Sequence, residues 1–374
     1  MRILVVRAGA LGDTLMATPV VPALAARYPG AAIDVLASAG AAPLLANNPR
    51  LQRVLSLMWR NLPYAVSLEK RTLVRRLRAA SYDLAIVLEQ APHYLELVRR
   101  VRPARIDGFH ETPFDPALPS AANNLRAAGF SDWASRSLAP EIFLDDRDRA
   151  EAIKVLRGLR VLKGLTVREG LTVREGPTVR EGLTVREEVD LPRPLVGLHS
   201  GYGPVGRPKR NQDTRLRGWK LENFIEVGRD LVARGTTVVL TGAAGDRQAV
   251  EQIARGLPPG SCVNAAGRLT VRGLAAAIAM MDTLVSVDSG PAHIAAAVGT
   301  PLVVLWGPGI LEQTRPIGRL APVTVIRHPP PCAPCYGTPL MKTCPRNVCM
   351  EAIGVEEVLR STLKLLNVEF HIQQ

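Results

Sequence analysis

The sequence predicts an α/β protein with two Rossmann-like domains. The chain has 374 residues, and 47% of them are hydrophobic but only 4% aromatic. Short apolar runs alternate with helical stretches on both sides of a hexapeptide repeat. A chain of this length is long for one ordinary domain and suits two. Since strands that alternate with helices form parallel sheets, we expect two such sheets facing a central cleft.

The first half of the chain has the rhythm of βαβ units. We predict a strand over 2–6, a glycine-containing turn over 8–13, and a helix that runs from Thr14 to about Tyr28. The next strand, over 32–36, and the later apolar runs at 84–88 and 105–108 alternate with arginine-rich helical stretches. These elements predict an N-terminal Rossmann-like domain over 1–150.

The second half contains a more regular series. Strands are predicted over 194–198, 236–241, 283–287 and 301–306, and helices over 221–234, 246–256, 271–281 and 291–298. This series predicts a C-terminal Rossmann-like domain over 193–354, which includes a cysteine-rich segment at 332–349. A C-terminal helix and tail follow over 355–374.

A hexapeptide repeat separates the two series. Four hexamers of the pattern Leu-Thr-Val-Arg-Glu-Gly occupy 165–188, with small variations. Four hexamers make little more than one turn of a β-helix, and such a coil needs several stacked turns to bury a core. Loops tolerate insertions at a small entropic cost. We therefore interpret 151–192 as a linker with a duplicated insertion.

The charge balance favours an anionic partner. The 47 basic residues exceed the 34 acidic ones by 13, which suits a phosphorylated substrate, a membrane surface or nucleic acid. The arginines are scattered singly or in pairs, without the interleaved aromatic rings of a single-strand-binding platform. We therefore expect no nucleic-acid partner.

Several absences predict a cytoplasmic protein. No apolar run reaches the roughly 18 residues that span a bilayer, so any membrane attachment is expected to be peripheral. Arg7 and Asp13 cut the first apolar run short of a signal-peptide core. Four of the five cysteines lie within 332–349, which is not the pattern of a disulfide-stapled secreted scaffold.

The most informative segment follows the predicted strand over 283–287. Asp288, Ser289 and Gly290 lead into a helix that a proline opens, where a missing N–H costs no helical hydrogen bond. Free N–H groups and the helix dipole at such a junction can bind a diphosphate, and Gly290 allows close approach to the main chain. Ser289 and His293 add hydrogen-bonding groups. The alternative is a plain strand–turn–helix junction capped by Asp288 or Ser289.

This segment resembles glycosyltransferase family 9, the heptosyltransferases. The resemblance is carried by Asp-Ser-Gly-Pro-x-His-x-Ala-Ala-Ala at 288–297, Gly-Ala-Leu-Gly-Asp-Thr-Leu at 9–15, Asn264-x-x-Gly267, and Leu-Val-Val-Leu-Trp-Gly-Pro at 302–308. It covers most of the chain except the repeat. It implies a GT-B architecture and an inverting transfer that requires no metal cofactor. The N-terminal domain would hold the acceptor and the C-terminal domain the nucleotide sugar.

The resemblance also implies a general base. The family places an acid in the first loop, and Asp13 matches it, with Gly9, Gly12 and Thr14 in the same acceptor loop. An inverting displacement needs a carboxylate to take the proton from the attacking hydroxyl while the diphosphate leaves. The alternative is that Asp13 caps the helix predicted to begin at Thr14.

The family further implies a basic residue, usually lysine, two positions before a tryptophan at the donor phosphates. Arg217 occupies this place before Trp219, and Lys220 follows. Arginine can bind a diphosphate in a bidentate manner, with a geometry that differs from that of lysine. The loop over 200–217 is interpreted as a phosphate-facing lid, with a solvated basic loop as the alternative. Asp288 would repel a diphosphate unless it bonds backbone N–H groups, a sugar hydroxyl or a neighbouring arginine, or unless a metal intervenes.

Two further groups of residues are candidates for binding. Thr241, Gly242 and Asp246 follow a predicted strand and open a helix, the usual place for base or ribose contacts. The cysteine-rich segment has spacings compatible with a structural four-thiolate zinc site, and uncoordinated or redox-active thiols are the alternative. Its members are Cys332, Cys335, Cys344 and Cys349.

The resemblance implies an enzyme that moves a sugar, typically heptose, from a nucleotide diphosphate donor such as ADP-heptose. The implied acceptor is a lipopolysaccharide core or related surface glycan at the inner face of the inner membrane. A non-catalytic nucleotide-sugar-binding protein is the main alternative, supported by Arg217 and the long linker. A nicotinamide-dependent oxidoreductase is disfavoured, because Gly9-x-x-Gly12 lacks the third glycine of the dinucleotide fingerprint.

Overall fold

The chain folds into two compact units in the computed structural model, which describes residues 1–59, 62–161, 191–201, 216–344 and 346–371. Unit 1 comprises Met1–Phe143 and Glu312–Ile317, and unit 2 comprises Leu144–Leu311 and Gly318–Gln374. The hexapeptide repeat lies outside the described residues, as does most of the basic loop that precedes Arg217. Among the described residues, no helix combines the length and apolarity needed to cross a membrane.

Unit 1 is built on a five-stranded parallel sheet of order β3-β2-β1-β4-β5. Its elements are β1 (Arg2–Arg7), α1 (Leu11–Leu15), α2 (Val20–Arg27), β2 (Ala32–Ser38), β3 (Leu51–Leu57), α3 (Leu68–Ala80), β4 (Leu84–Val87), α4 (Pro92–Val101), β5 (Arg105–Gly108) and α5 (Ser120–Ala127). Because alternate strand residues face opposite sides of a sheet, β1 supplies two cores. Ile3 and Val5 pack with residues of α2 and α5, while Leu4 and Val6 pack with residues of α3 and α4.

The helix predicted from Thr14 to Tyr28 is wrong as a single element, because it is divided into α1 and α2. Helix α1 begins at Leu11, so that Asp13 lies inside its first turn. The chain turns before α2, where Pro19 lacks the N–H that a continuous helix would need. The hydroxyl of Thr18 donates to the Leu15 carbonyl at 2.7 Å and stabilises this turn.

Unit 2 is built on a six-stranded parallel sheet of order β11-β10-β9-β6-β7-β8. Its first elements are α6 (Asp146–Val161), β6 (Leu195–His199), α7 (Leu221–Ala233), β7 (Thr237–Thr241), α8 (Arg247–Gly256), β8 (Cys262–Asn264) and α9 (Val271–Ala279). They are followed by β9 (Thr283–Val287), α10 (Gly290–Val298), β10 (Leu302–Leu305), β11 (Val323–Ile326), α12 (Pro339–Lys342), α13 (Val348–Glu351) and α14 (Val355–His371). Helix α11 (Leu311–Thr314) falls almost entirely within the second segment of unit 1. The α/β class with two Rossmann-like sheets is confirmed.

Helix α6 belongs to the second unit, and the division after 143 therefore precedes the sequence-based boundary at 150. The Asp148 carboxylate accepts two hydrogen bonds from the Arg272 guanidinium, one of them 2.8 Å long. Glu151 accepts from both the backbone N–H and the hydroxyl of Thr270 at 2.7 Å, at the start of α9. These charge-assisted bonds hold α6 against α9.

The strand orders place one topological switch point in each sheet. Strand order reverses between β1 and β4 in unit 1, and between β6 and β9 in unit 2. Ligands of open α/β sheets bind at the carboxyl ends of the strands that flank such a point. The loops that follow these four strands are therefore the places to look for functional residues.

Candidate functional site

At the switch point of unit 2, the chain after β6 lies against the chain after β9. His199 pairs in register with Ser286 at the ends of the two strands. Gly201 has a φ of +62°, and a Cβ there would collide with Cγ2 of Val287. Only glycine suits both the backbone conformation and this close approach.

Asp288 follows β9 and pairs with Arg217. The carboxylate is buried, and its Oδ2 lies 3.2 Å from Nη1 of the guanidinium. Burial raises the pKa of the Asp288 carboxyl, while the positive charge of Arg217 acts in the opposite direction. The compensating partner that Asp288 requires is therefore an arginine, and it is the arginine expected to meet the donor phosphates.

The guanidinium of Arg217 is also held by an aromatic ring. Its central carbon lies 4.0 Å from the ring centroid of Tyr336, a distance at which a cation interacts with the π-face. The backbone N–H of Tyr336 donates to the carbonyl of Pro308 at 3.0 Å. The indole of Trp306 donates to Gly309 in the same turn at 3.0 Å. Tyr336 was not among the predicted site residues, and its proximity to Cys335 in the sequence gave no indication of this contact.

The helix that follows Asp288 presents its N-terminus at the switch point. Helix α10 begins at Gly290 and has a proline in its first turn. Ser289 occupies the N-cap position, but its side chain makes no capping bond and lies 3.1 Å from the hydroxyl of Ser286. His293 is buried one turn into the helix. This junction therefore keeps the first-turn N–H groups of α10 free of a side-chain cap from Ser289, as an anion-binding terminus requires.

His199 is a further polar residue at this end of the sheet that sequence reasoning missed. It ends β6, and its Nδ1 lies 3.0 Å from the hydroxyl of Thr241 at the end of β7. Burial lowers the pKa of His199 to about 4, so the imidazole is neutral near pH 7. Beside it, the hydroxyl of Ser200 is buried and has no hydrogen-bond partner within the described part of the chain.

The loop after β7 is organised by Asp246. Its Oδ2 accepts the backbone N–H of Ala243 at 2.8 Å. A Cβ on Gly242 would come within 3.0 Å of the Asp246 Cβ. The structure thus places Thr241, Gly242 and Asp246 in one strand–helix junction. The buried Asp246 carboxylate accepts a hydrogen bond from the backbone of that junction.

Lys220 is positioned differently from Arg217. It precedes α7 and is exposed, and its Nζ lies 3.8 Å from Oε1 of Glu351. Glu351 also accepts a hydrogen bond from Arg346 at 2.9 Å, which lowers the pKa of this carboxyl. The ion pair that Lys220 makes is therefore with Glu351 and not with Asp288.

At the switch point of unit 1, Asp13 is fixed by two contacts. Its Oδ2 accepts the backbone N–H of Ala10 at 2.9 Å, and its Oδ1 lies 3.2 Å from Nη2 of Arg7. Arg7 ends β1, donates to the carbonyl of Leu88 after β4, and lies 3.9 Å from a carboxylate oxygen of Glu89. The Asp13 side chain remains 40% exposed, so the carboxylate is oriented but accessible to a hydroxyl group.

The other residues of this loop support Asp13. A Cβ on Gly9 would come within 2.6 Å of the Asp13 Cβ, so a larger side chain would push the loop away from α1. The carbonyl of Gly12 accepts the backbone N–H of Met16 at 2.9 Å. Thr14 is buried, and its hydroxyl has no hydrogen-bond partner among the described residues.

The two units use the same pentapeptide arrangement. Gly-Ala-Leu-Gly-Asp at 9–13 and Gly-Ala-Ala-Gly-Asp at 242–246 both follow a strand, and in both the aspartate accepts the N–H of the alanine. Alanine has no side-chain acceptor, so each segment forms only half of a capping box. Asp13 differs from Asp246 by its exposure. A structural role is therefore common to both aspartates, and accessibility distinguishes Asp13.

The four clustered cysteines are all free thiols. Cys335 and Cys349 are buried, and burial, reinforced by the neighbouring cysteines, raises the pKa of both thiols. Cys344 donates to the carbonyl of Arg346 at 2.8 Å, while Cys332 is exposed. Within the described residues, no group of three or more histidine, cysteine, aspartate or glutamate side chains is arranged to hold a metal ion. The zinc site stays a prediction, which the metal content of the purified protein tests.

Comparison with known proteins shows which family the chain resembles. The model of glycosyltransferase family 9 (heptosyltransferase) matches residues 213–343. Lipopolysaccharide heptosyltransferase 2 of Salmonella typhimurium is 28% identical over 338 residues, which cover 86% of this chain and 87% of that protein. Lipooligosaccharide heptosyltransferase 2 of Haemophilus influenzae is 28% identical over 340 residues, with 87% and 88% covered.

Solved structures show the same fold. The ADP-heptose lipopolysaccharide heptosyltransferase II of Escherichia coli superposes with a TM-score of 0.73 at 23% identity, over 99% of this chain and all of the other. A family 9 glycosyltransferase of Veillonella parvula gives a TM-score of 0.72 at 20% identity, with 98% and 97% covered. The fold is the GT-B architecture of these proteins. The chain thus resembles glycosyltransferase family 9 over most of its length, and it is a heptosyltransferase-like glycosyltransferase.

Proposed function

We propose that this glycosyltransferase transfers a heptose from ADP-heptose to a lipopolysaccharide core or related surface glycan, with inversion at the anomeric carbon. The observation that carries the proposal is the junction after β9. There an uncapped helix N-terminus lies beside a fixed arginine at a topological switch point. The names of the Salmonella and Haemophilus relatives support the choice of heptose and of a lipopolysaccharide-type acceptor.

The proposed donor site lies in unit 2. The diphosphate would accept hydrogen bonds from the first-turn N–H groups of α10 and from Ser289, with Gly290 allowing close approach. Arg217 would share its guanidinium between Asp288 and a phosphate oxygen, since its side chain is 25% exposed. Thr241, Gly242 and Asp246 would meet the base or the ribose, where the loop after β7 reaches the same end of the sheet.

The proposed general base, Asp13, lies in unit 1. Its carboxylate would take the proton of the acceptor hydroxyl as that oxygen bonds to the anomeric carbon. The bond from the anomeric carbon to the diphosphate breaks in the same displacement, and its electron pair stays on the departing ADP. Arg217 and the α10 N-terminus would stabilise this developing charge. No step requires a metal cofactor.

The proposed acceptor places the chain at a membrane. A lipopolysaccharide core is attached to a lipid, and ADP-sugars belong to the cytoplasm, so we place the reaction at the inner face of the inner membrane. The alternative of a non-catalytic nucleotide-sugar-binding protein predicts donor binding without release of ADP when an acceptor is added. Production of ADP that depends on the acceptor therefore separates the two.

The donor site is tested in two stages. Thermal shifts with ADP, UDP, GDP and CDP identify the base, since a ligand at 100 times its Kd stabilises by about 2.7 kcal/mol. The selected diphosphate is then titrated against Gly290→Val, which adds a branched side chain at the start of α10, and against His293→Ala. We expect a large loss of affinity for the valine variant and a loss of about 1.5–3 kcal/mol for the alanine variant.

Two variants of the same unit serve as controls. Gly354→Val introduces the same side chain where nothing lies within 4 Å, and His328→Ala removes an exposed imidazole that contacts Glu357. Both should bind the diphosphate as the unmodified protein does. Unchanged affinity for the diphosphate in both Gly290→Val and His293→Ala would show that the donor does not bind at the α10 junction.

A further inference from the structure

Exposed apolar side chains are concentrated in one segment of unit 1. Half of the large hydrophobic residues that are exposed in the described chain lie within 58–68. They are Met58, Trp59, Leu62, Val66 and Leu68. Trp59 is 61% exposed and Leu68 is 73% exposed. Single exposed apolar residues are ordinary, but a contiguous group of this kind marks a binding surface.

Two side chains of α3 form hydrogen bonds with the backbone of this segment. The Glu69 carboxylate accepts the backbone N–H groups of Met58 at 2.7 Å and Trp59 at 3.0 Å. The ammonium group of Lys70, a buried residue, donates to the carbonyl of Leu62 at 2.6 Å. Two charged residues in the first turn of α3 therefore bind the backbone of the segment, while its apolar side chains face outward.

A basic rim adjoins the apolar segment. Leu68, Arg75 and Arg76 are all exposed on α3, and their helical spacing puts them on one side of that helix. The neighbouring end of α4 adds the exposed Arg99 and Arg102. Arg78 of α3 ties the two helices together, because its guanidinium donates to the carbonyl of Arg100 at 2.5 Å.

The acidic residues of these two helices do not cancel this charge. Helices α3 and α4 contain one acidic residue each, Glu69 and Glu96. Glu69 is occupied with backbone N–H groups, and Glu96 pairs with Arg100 at 2.9 Å. Arg100 also lies over the ring of Tyr64, 4.5 Å from its centroid, which connects the rim to the apolar segment. The surface thus combines an apolar centre with a rim of one sign.

We propose that residues 58–59 and 62–68, with the exposed arginines of α3 and α4, form the surface by which unit 1 docks onto an anionic phospholipid bilayer. Tryptophan and other apolar side chains enter the headgroup region, while arginines attract anionic headgroups. A protein partner would need acidic residues placed opposite these arginines. A lipid surface instead carries diffuse negative charge, and a rim of positive charge alone fits such a surface. The proposal extends the membrane-bound acceptor of the proposed function and names the residues that make the contact.

Vesicle co-sedimentation of the full chain tests this surface. The unmodified protein should bind vesicles of phosphatidylcholine mixed with phosphatidylglycerol, bind phosphatidylcholine alone much more weakly, and lose binding as salt is added. Trp59→Ser combined with Leu68→Ser should weaken binding to the anionic vesicles by about tenfold. Arg75→Glu combined with Arg76→Glu should weaken it by on the order of a hundredfold or more.

Matched changes in unit 2 provide the controls. Leu320→Ser removes a side chain that is 60% exposed, and Arg234→Glu with Arg255→Glu produces the same change in net charge as the rim variant. Both should bind vesicles as the unmodified protein does. Equal loss in the control and rim variants would overturn the docking surface, because only net charge would then matter. Failure of the unmodified protein to bind anionic vesicles would overturn it as well, even if the segment captured a protein instead.

Activity with a water-soluble, lipid-free acceptor separates this proposal from the proposed function. The segment and rim variants should transfer sugar to that acceptor at the rate of the unmodified chain and lose activity only on acceptor embedded in vesicles. Absence of transfer by the unmodified chain, with vesicle binding intact, would contradict the proposed function and leave the docking surface standing.

Discussion

Arg217 and Asp288 form an ion pair in which Nη1 lies 3.2 Å from Oδ2, and the same guanidinium lies 4.0 Å from the ring centroid of Tyr336. The arginine is therefore oriented before a ligand arrives. The arrangement also explains how an aspartate can occupy a junction proposed to bind a diphosphate, because its charge is compensated locally.

Breaking this pair should cost stability in a non-additive way. Arg217→Met leaves the buried Asp288 carboxylate without its opposite charge, and we expect the free energy of unfolding to fall by about 2–4 kcal/mol. Asp288→Asn removes the charge itself, so the double variant should regain part of the loss. Urea denaturation of both single variants and the double variant gives the coupling energy. Strictly additive costs would show that the pair contributes nothing to folding.

Asp13→Asn should lower kcat by about 10²–10⁴ with little change in the Kd of the donor. Asparagine keeps an oxygen that can accept the Ala10 N–H but cannot take a proton from a hydroxyl. Asp246→Asn is the matched comparison, because Asp246 makes the same backbone contact. It should alter the KM of the donor while kcat remains. If Asp13→Asn turned over at the wild-type rate across the pH range, Asp13 would serve only as a helix-capping residue.

His199 should make stability depend on pH. Its pKa falls from 6.5 to about 4 because the ring is buried, so between these values the unfolded chain binds more protons than the folded chain. Stability therefore rises with pH through this window and is lost as the pH falls from 6.5 towards 4, by on the order of 3 kcal/mol. His199→Asn should show a shallower slope in urea denaturation at pH 4.5–6.5. Identical slopes would mean that the ring is not held neutral.

Removing two hexamers, residues 171–182, should leave the melting temperature and the transferase activity close to those of the full chain. The deleted residues lie outside the described part, between α6 and β6. Arg272→Met is the comparison variant, since it removes the ion pair between α6 and α9 and should lower the melting temperature. A comparable fall on deletion would make the repeat part of the packed structure, and loss of activity alone would give it a functional role.

The local elements of the fold could be predicted from the amino-acid sequence. Alternation of apolar strands with helices predicted two Rossmann-like units, and the strands over 283–287 and 105–108 have the predicted bounds. The junction at Asp288 to Gly290 was also visible, because its strand, turn and helix are adjacent in the chain. Strands β3, β8 and β11 went unrecognised; β3 has exposed polar residues and β8 has only three residues.

The contacts between side chains of different elements depend on the tertiary structure. Arg7 reaches Leu88, and His199 reaches Thr241, because the order of parallel strands brings their carboxyl ends together. Arg217 pairs with Asp288, and Arg272 of α9 pairs with Asp148 of α6, although the partners are far apart in the sequence. Periodicity reports only on neighbours within one element. Pairings between elements follow from the crossovers that set strand order, and these have no local signature in a single sequence.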